Sequence, residues 1–228
     1  MSEFYLVRHG QASFGADNYD KLSPLGHQQA AWLGEYFAAR NIHFDGVIHG
    51  ELVRHRETAE SLCGALPRAP QFTVHPGLNE FDFHSITSAY LRAYPEQRPA
   101  NGADARQFYG VLKRSMHAWM NGDLPGEVPE SWQAFETRVA DVLSYICQAC
   151  NRDQTQQRLL VVSSGGTMAM ALKHILGFEN SNVINLNMQM KNTGVSHFFC
   201  KSDIIRLSSF NNVPHLDIEG RTEAITFS

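Results

Sequence analysis

The tripeptide Arg8-His9-Gly10 closes a short apolar run, Phe4-Tyr5-Leu6-Val7, and a second arginine, Arg54, follows another such run, Gly46-Val47-Ile48-His49. These residue types suit phosphoryl transfer. A neutral imidazole attacks phosphorus well, and a phosphohistidine divides hydrolysis into two easier steps. Each guanidinium presents a planar fork of N–H donors, which matches a phosphoryl group whose charge spreads over three equatorial oxygens. The same cations disfavour imidazolium, so they hold His9 toward the neutral, nucleophilic form near neutral pH. Gly10 lets the backbone come close to the phosphate.

For the two arginines to meet, their strands must run parallel and end at one rim, the carboxyl edge where open α/β sheets bind ligands. The sequence supplies that alternation. Phe4 to Val7 reads as a buried strand, Gly46 to His49 as a second and Phe72 to His75 as a third. Between them, Ser23-Pro24 caps a helix carrying Leu25, Leu33 and Phe37, and Glu57 to Leu66 reads as another helix. Residues 79 to 129 break the rhythm with scattered aromatics and a helix from Gln107 to Met120, an insertion over the functional edge. Phe135, Val139, Val142, Leu143 and Ile146 then trace one face of a long helix, Leu159 to Val162 is the clearest buried strand, and Gly165-Gly166 opens a helix ending near Gly177. Ile184 to Met188, Val195 to Cys200 and Ile204 to Phe210 alternate as strands do, with Ser202-Asp203 as a hairpin turn; from Asn211 onward the sequence gives no signal.

The run Leu6-Val7-Arg8-His9-Gly10-Gln11, then Leu22-Ser23-Pro24-Leu25-Gly26 with Gln29-Ala30, then Leu52-Val53-Arg54 with Glu57-Thr58-Ala59-Glu60, resembles the histidine phosphatase superfamily, also called phosphoglycerate mutase-like. Leu78-Asn79-Glu80 and Val161 to Gly166 continue the match. The resemblance implies one α/β domain over 1–228, three-layered α/β/α around a mostly parallel sheet, with neither metal nor cofactor. It implies His9 as nucleophile, Arg8 and Arg54 as phosphate clamps, and Glu80 as the acid that protonates the leaving oxygen and then activates water. Gln11 is carried over as an auxiliary.

One departure stands out: where the family has a second, cationic histidine before the paired glycines, this chain has Ser164. A hydroxyl donates one hydrogen bond but supplies no charge. By analogy with loss of one oxyanion-hole donor, the cost is roughly 2.7 to 4 kcal/mol, or about 10² to 10³ in rate, and Ser164→His is expected to raise turnover. Ser164 and Gly165, at a helix start, are expected to retain phosphate contacts. His84, four residues after Glu80, and His55, beside Arg54, are the candidates to compensate, with His84 taken first.

The mutases of this superfamily follow the acid with an Arg-His-Tyr-Gly run; Phe81-Asp82-Phe83-His84 here loses a cation and gains a carboxylate, which leans toward hydrolysis. A slow phosphomonoesterase is therefore expected, with a phosphate-binding protein lacking turnover as the alternative and a phosphoglycerate-type mutase further behind. The expected partners are a phosphorylated small molecule or inorganic phosphate. A formal net charge of -4 without charge runs gives no footprint for nucleic acid or an anionic membrane. No apolar stretch approaches the roughly 20 residues of a spanning helix, and Met1 runs directly into strand, pointing to the cytoplasm. The four cysteines read as free thiols, with Cys147-x-x-Cys150 inside a helical pattern and no second pair for zinc. Solvent-facing apolar strands could pair two copies into a homodimer.

Overall fold

The computed structural model describes residues 2–13, 20–100, 105–152 and 156–227. Six strands, β1 (Ser2–Arg8), β2 (Gly46–His49), β3 (Gln71–Val74), β4 (Arg158–Ser163), β5 (Val195–Lys201) and β6 (Ile204–Asn212), form one sheet in the order β3-β2-β4-β1-β5-β6. The first four in that order run parallel, and β5 and β6 add antiparallel at one edge. Among the described residues seven α-helices accompany it: α1 (Pro24–Ala39), α2 (Val53–Cys63), α3 (Phe83–Ala93), α4 (Ala105–Asn121), α5 (Trp132–Cys150), α6 (Gly165–Leu176) and α7 (Asn180–Asn187).

The alternation along β1 explains the layers. Val7, with Val47, Leu160 and Val162, packs against Leu33 and Phe37 of α1 and Leu62 of α2. Phe4 and Leu6, with Ile48, Leu159 and Val161, face Phe135, Val139 and Ile146 of α5 and Met168 of α6. A strand buried on both faces reads as a continuous apolar run, as β1 and β4 do. The helix signals hold in the same way. Ser23 caps α1, its Oγ accepting from Gly26 N–H at 3.0 Å, and Ser131 caps α5 through Ala134 N–H.

Two expectations need correction. The second helix starts at Val53 rather than Glu57, which places Arg54 and His55 in its first turn. Leu52 at its N-cap gives no side-chain bond; the cap comes from Asp20, whose Oδ2 accepts from Val53 N–H at 2.8 Å. The second correction is that Ile184 to Asn187, read as strand, belongs to α7. Gly177, left-handed at φ 71°, ends α6, and α7 follows closely and packs on it. Alternation over five residues cannot separate the two periods, and packing decides.

Residues 79–129 contain α3 and α4, which pack on each other. The chain after β6 turns back, with Val213, Leu216 and Ala224 buried against Leu25 and Trp32 of α1. None of the described helices is long and apolar enough to cross a membrane.

Candidate active site

The parallel register pairs Arg8 of β1 with Ser163 of β4, so His9 and Ser164 leave neighbouring strands at the same level. His9 is fixed at both backbone ends. Its N–H donates to Ser163 O at 2.9 Å, and its carbonyl accepts from the Asn192 side chain at 3.1 Å. The ring Nδ1 lies 2.7 Å from Gly10 O, an acceptor, so Nδ1 carries the proton and Nε2 presents its lone pair. Burial, then Arg54, Arg8 and His55, holds the imidazole well below the usual histidine range. Gly10 is obligatory for space: a Cβ there would come within 2.4 Å of Gly26 O.

Arg54 is buried and donates to Asp20 Oδ1 at 2.7 Å. One turn along α2, Thr58 Oγ1 donates to Arg54 O at 2.7 Å and accepts from Gly10 N–H at 3.0 Å, tying α2 to the loop that carries His9. Arg8 donates through Nη1 to Met190 O and, at 2.7 Å, to Phe227 O. The terminal segment therefore reaches the site. Gln29, wholly buried, holds that segment by donating to Ala224 O at 2.7 Å while accepting from Gln11 N–H.

Glu80 arrives from the turn after β3. That turn is pinned by Ser163 Oγ donating to Leu78 O, Thr167 Oγ1 to Asn79 O, and Arg138 to Gly77 O and Asn79 O. Its carboxylate accepts from Gly166 N–H at 2.9 Å and Phe81 N–H at 3.2 Å. Burial pushes the Glu80 carboxyl above its usual range, against the Gly166 N–H, Arg54, Arg8 and the Phe81 N–H, which all pull it down. The N–H of Gly166, the second residue of α6, is thus engaged by the acid.

Arg8, His9, Arg54 and Glu80 line one cavity of about 370 Å³. Its remaining wall is largely apolar: Phe81, Phe83, Leu112 and Met188, with Phe108 and Tyr109 of α4 and Phe227 of the terminal segment. Two auxiliaries lie elsewhere. His84, on α3, packs at a tilt on Phe83 and lines a separate groove with Arg92 and Glu127, not the cavity of His9. The Gln11 side chain accepts from Ser23 Oγ at 2.8 Å, a bond that steadies the entry to α1. Ser164 and Gly165 are buried at the start of α6 and are not among the side chains that line the cavity; a Cβ on Gly165 would meet Asn187 Oδ1 at 2.5 Å. The histidine near the centre is His55, whose ring lies 5.8 Å from that of His9 and whose Nε2 is 2.6 Å from Ser164 Oγ. Its signal was its place next to Arg54, concealed by the misplaced helix start. Asp20 was not singled out, since it carries no local pattern, and Thr58 stood within a motif without a role of its own. Among the described residues, no cluster of three His, Cys, Asp or Glu could hold a metal ion.

A family profile for the histidine phosphatase superfamily (branch 1) matches residues 4–213. A 2,3-bisphosphoglycerate-dependent phosphoglycerate mutase of Sinorhizobium fredii is 25% identical over 191 residues, covering 80% of this chain and 83% of the mutase. Among solved structures, a phosphoserine phosphatase of Entamoeba histolytica in complex with 3-phosphoglyceric acid superposes with TM-score 0.65 at 20% identity, over 95% of this chain and all of that one. A phosphoglycerate mutase of Bacillus anthracis gives TM-score 0.67 at 18% identity, over 94% of each chain.

Proposed function

The chain belongs to the histidine phosphatase superfamily, and on that premise we propose that it hydrolyses phosphomonoesters of apolar alcohols through a phosphohistidine on His9. The observation that carries this reading is the mixed lining of the cavity: Arg8, Arg54, His9 and Glu80 share it with the apolar side chains of Phe81, Phe83, Leu112 and Met188. A mutase acting on a phosphorylated acid needs cations for the second anionic group, and among the described residues the cavity offers only the two arginines.

In the first step, the Nε2 lone pair forms the N–P bond, the ester P–O bond breaks, and Glu80 gives its proton to the departing oxygen. Water then attacks phosphorus while the Glu80 carboxylate takes its proton, and the P–N bond breaks to return neutral His9 and inorganic phosphate. Burial shifts both groups toward the states the first step requires, His9 toward neutral and Glu80 toward protonated.

A binding protein without turnover is the second reading, favoured by Ser164 and by the Nη1 bonds of Arg8 to two backbone carbonyls. Phosphate release from p-nitrophenyl phosphate, naphthyl phosphate, phosphoserine and 3-phosphoglycerate separates the two. The expected result is higher kcat/KM for the aryl esters and loss of all turnover in His9→Ala. Phosphate binding with no release from any ester would select the binding reading.

A further inference from the structure

His55 and Ser164 are both fully buried, on α2 and at the start of α6, and their side chains meet at 2.6 Å. The other ring nitrogen of His55, Nδ1, is buried without a hydrogen-bond partner among the described residues. It packs on Gly50, where a Cβ would come within 2.3 Å of it. An N–H buried without an acceptor is costlier than an unused lone pair, so the proton belongs on Nε2. Nε2–H then donates to Ser164 Oγ. Among the described residues the Ser164 hydroxyl has no second partner, and as N-cap of α6 it makes no side-chain cap bond. Its own proton is therefore available. The β1–β4 register sets Ser164 beside His9, and the His55 ring lies 5.8 Å from the His9 ring.

We propose that His55 and Ser164 act as one donor unit for the transferred phosphoryl group, His55 orienting the serine hydroxyl so that its proton meets a phosphoryl oxygen on His9. The inference rests on the reading of this cavity as a phosphoryl-transfer site. Ser164 is then the group that touches the phosphoryl oxygen, and His55 is a positioning residue that acts through it. The arrangement also accounts for a polar ring in a wholly buried place where an apolar side chain would leave no orphaned nitrogen. Burial, then Arg54 and His49, keeps His55 neutral in the resting site, which suits an orienting donor rather than a fixed cation.

The test uses p-nitrophenyl phosphate turnover and orthovanadate affinity for wild type, His55→Phe, Ser164→Ala, the double variant and His55→Gln, each checked for folding by its melting curve. Ser164→Ala and His55→Phe are each expected to lower kcat by roughly 10²-fold, with KM changed much less. The double variant should fall no further than either single one, because both remove the same donor. His55→Gln, which keeps an N–H near the Nε2 position, should recover most of the rate. His55→Phe within about threefold of wild type in both kcat and vanadate affinity, or a double variant whose loss is the product of the singles, would overturn the pairing. Were wild type to show no His9-dependent turnover, the phosphatase reading fails on its own, and the pairing is judged by whether His55→Phe and Ser164→Ala weaken vanadate equally. Absence of vanadate binding in wild type sinks both.

Discussion

Acidification from pH 7.5 to 5.5 should destabilise this protein steeply, and the structure gives the size. His9 and His55 are buried, held neutral well below the usual histidine range, chiefly by burial. His215, buried against Thr193, is lowered to about 3, again mainly by burial and then by Arg221. In the unfolded chain each takes a proton near pH 6.5, so below that pH the unfolded state binds more protons and stability falls as pH falls toward the folded-state values. For a histidine that stays neutral in the fold throughout this window, the loss is about 1.4 kcal/mol, or about 4 kcal/mol for the three. Glu80 works the other way: its carboxyl is raised by burial, the folded state takes its proton first, and over these two pH units it offsets at most about 2.7 kcal/mol, two of the three. A net loss of roughly 1.4 to 4 kcal/mol corresponds to a fall in Tm of about 3 to 16 °C for a chain of this size. Thermal melts followed by circular dichroism at the two pH values, in buffers without phosphate, measure it. His55→Gln removes one titrating ring and should shrink the fall by about a third or more. A Tm drop under 3 °C, or an unchanged drop in His55→Gln, would refute the claim that these rings are carried neutral.

Two substitutions probe the geometry around Glu80 and Ser164. Gly166→Ala places a Cβ within 2.4 Å of the Phe81 ring and 2.5 Å of Glu80 Oε1, so the acid must move; kcat should fall by about 10² to 10⁴ for alkyl phosphates and much less for p-nitrophenyl phosphate, whose leaving group needs no proton. Steady-state kinetics on the two ester types checks this, and equal losses would show that Glu80 placement is not what was disturbed. Ser164→His, expected from sequence to raise turnover, should instead lower it, because the His55 ring stands 2.6 Å from Ser164 Oγ and occupies the space a second imidazole needs. Adding His55→Ala to Ser164→His should restore turnover above that of the single variant, and failure to do so would remove the steric explanation.

The elements with internal signals were legible. The strand β1 and the buried β4 show continuous apolar runs, α1 and α5 carry serine caps, and α6 is bounded by paired glycines and Gly177. The start of α2 was not, because its cap is Asp20, 33 residues upstream, rather than a residue at the helix end. That error had a chemical consequence. With α2 begun at Val53, Arg54 and His55 occupy its first turn at the carboxyl rim, and Thr58 follows one turn later to hold Gly10. Proximity in sequence made His84 the candidate partner of Glu80, but Asp82 caps α3 and the helix carries His84 to another groove. The contact of His55 with Ser164 spans 109 positions, and no local pattern encodes it. The terminal segment was silent for a related reason: its hold on Arg8 runs through the Phe227 carbonyl, a backbone group no side-chain pattern reveals.

In the proposed mechanism the same two arginines act with opposite consequences on the two reacting groups, and substrate changes the balance. At rest Arg54 and Arg8 favour neutral His9, which chemistry needs, and also favour ionised Glu80, which it does not; burial alone keeps the carboxyl raised. An arriving phosphoryl dianion partly neutralises the arginines' field at Glu80 and adds repulsion of its own, so it drives the carboxyl further toward the protonated form. The acid is thus readied by the substrate it must protonate. After the ester bond breaks, the new carboxylate is held by the N–H groups of Gly166 and Phe81, in place to take a proton from water. The kcat/KM profile should therefore lose activity on the alkaline side at a lower pH than the kcat profile does, since the first reports Glu80 in the free enzyme and the second Glu80 beside bound phosphate.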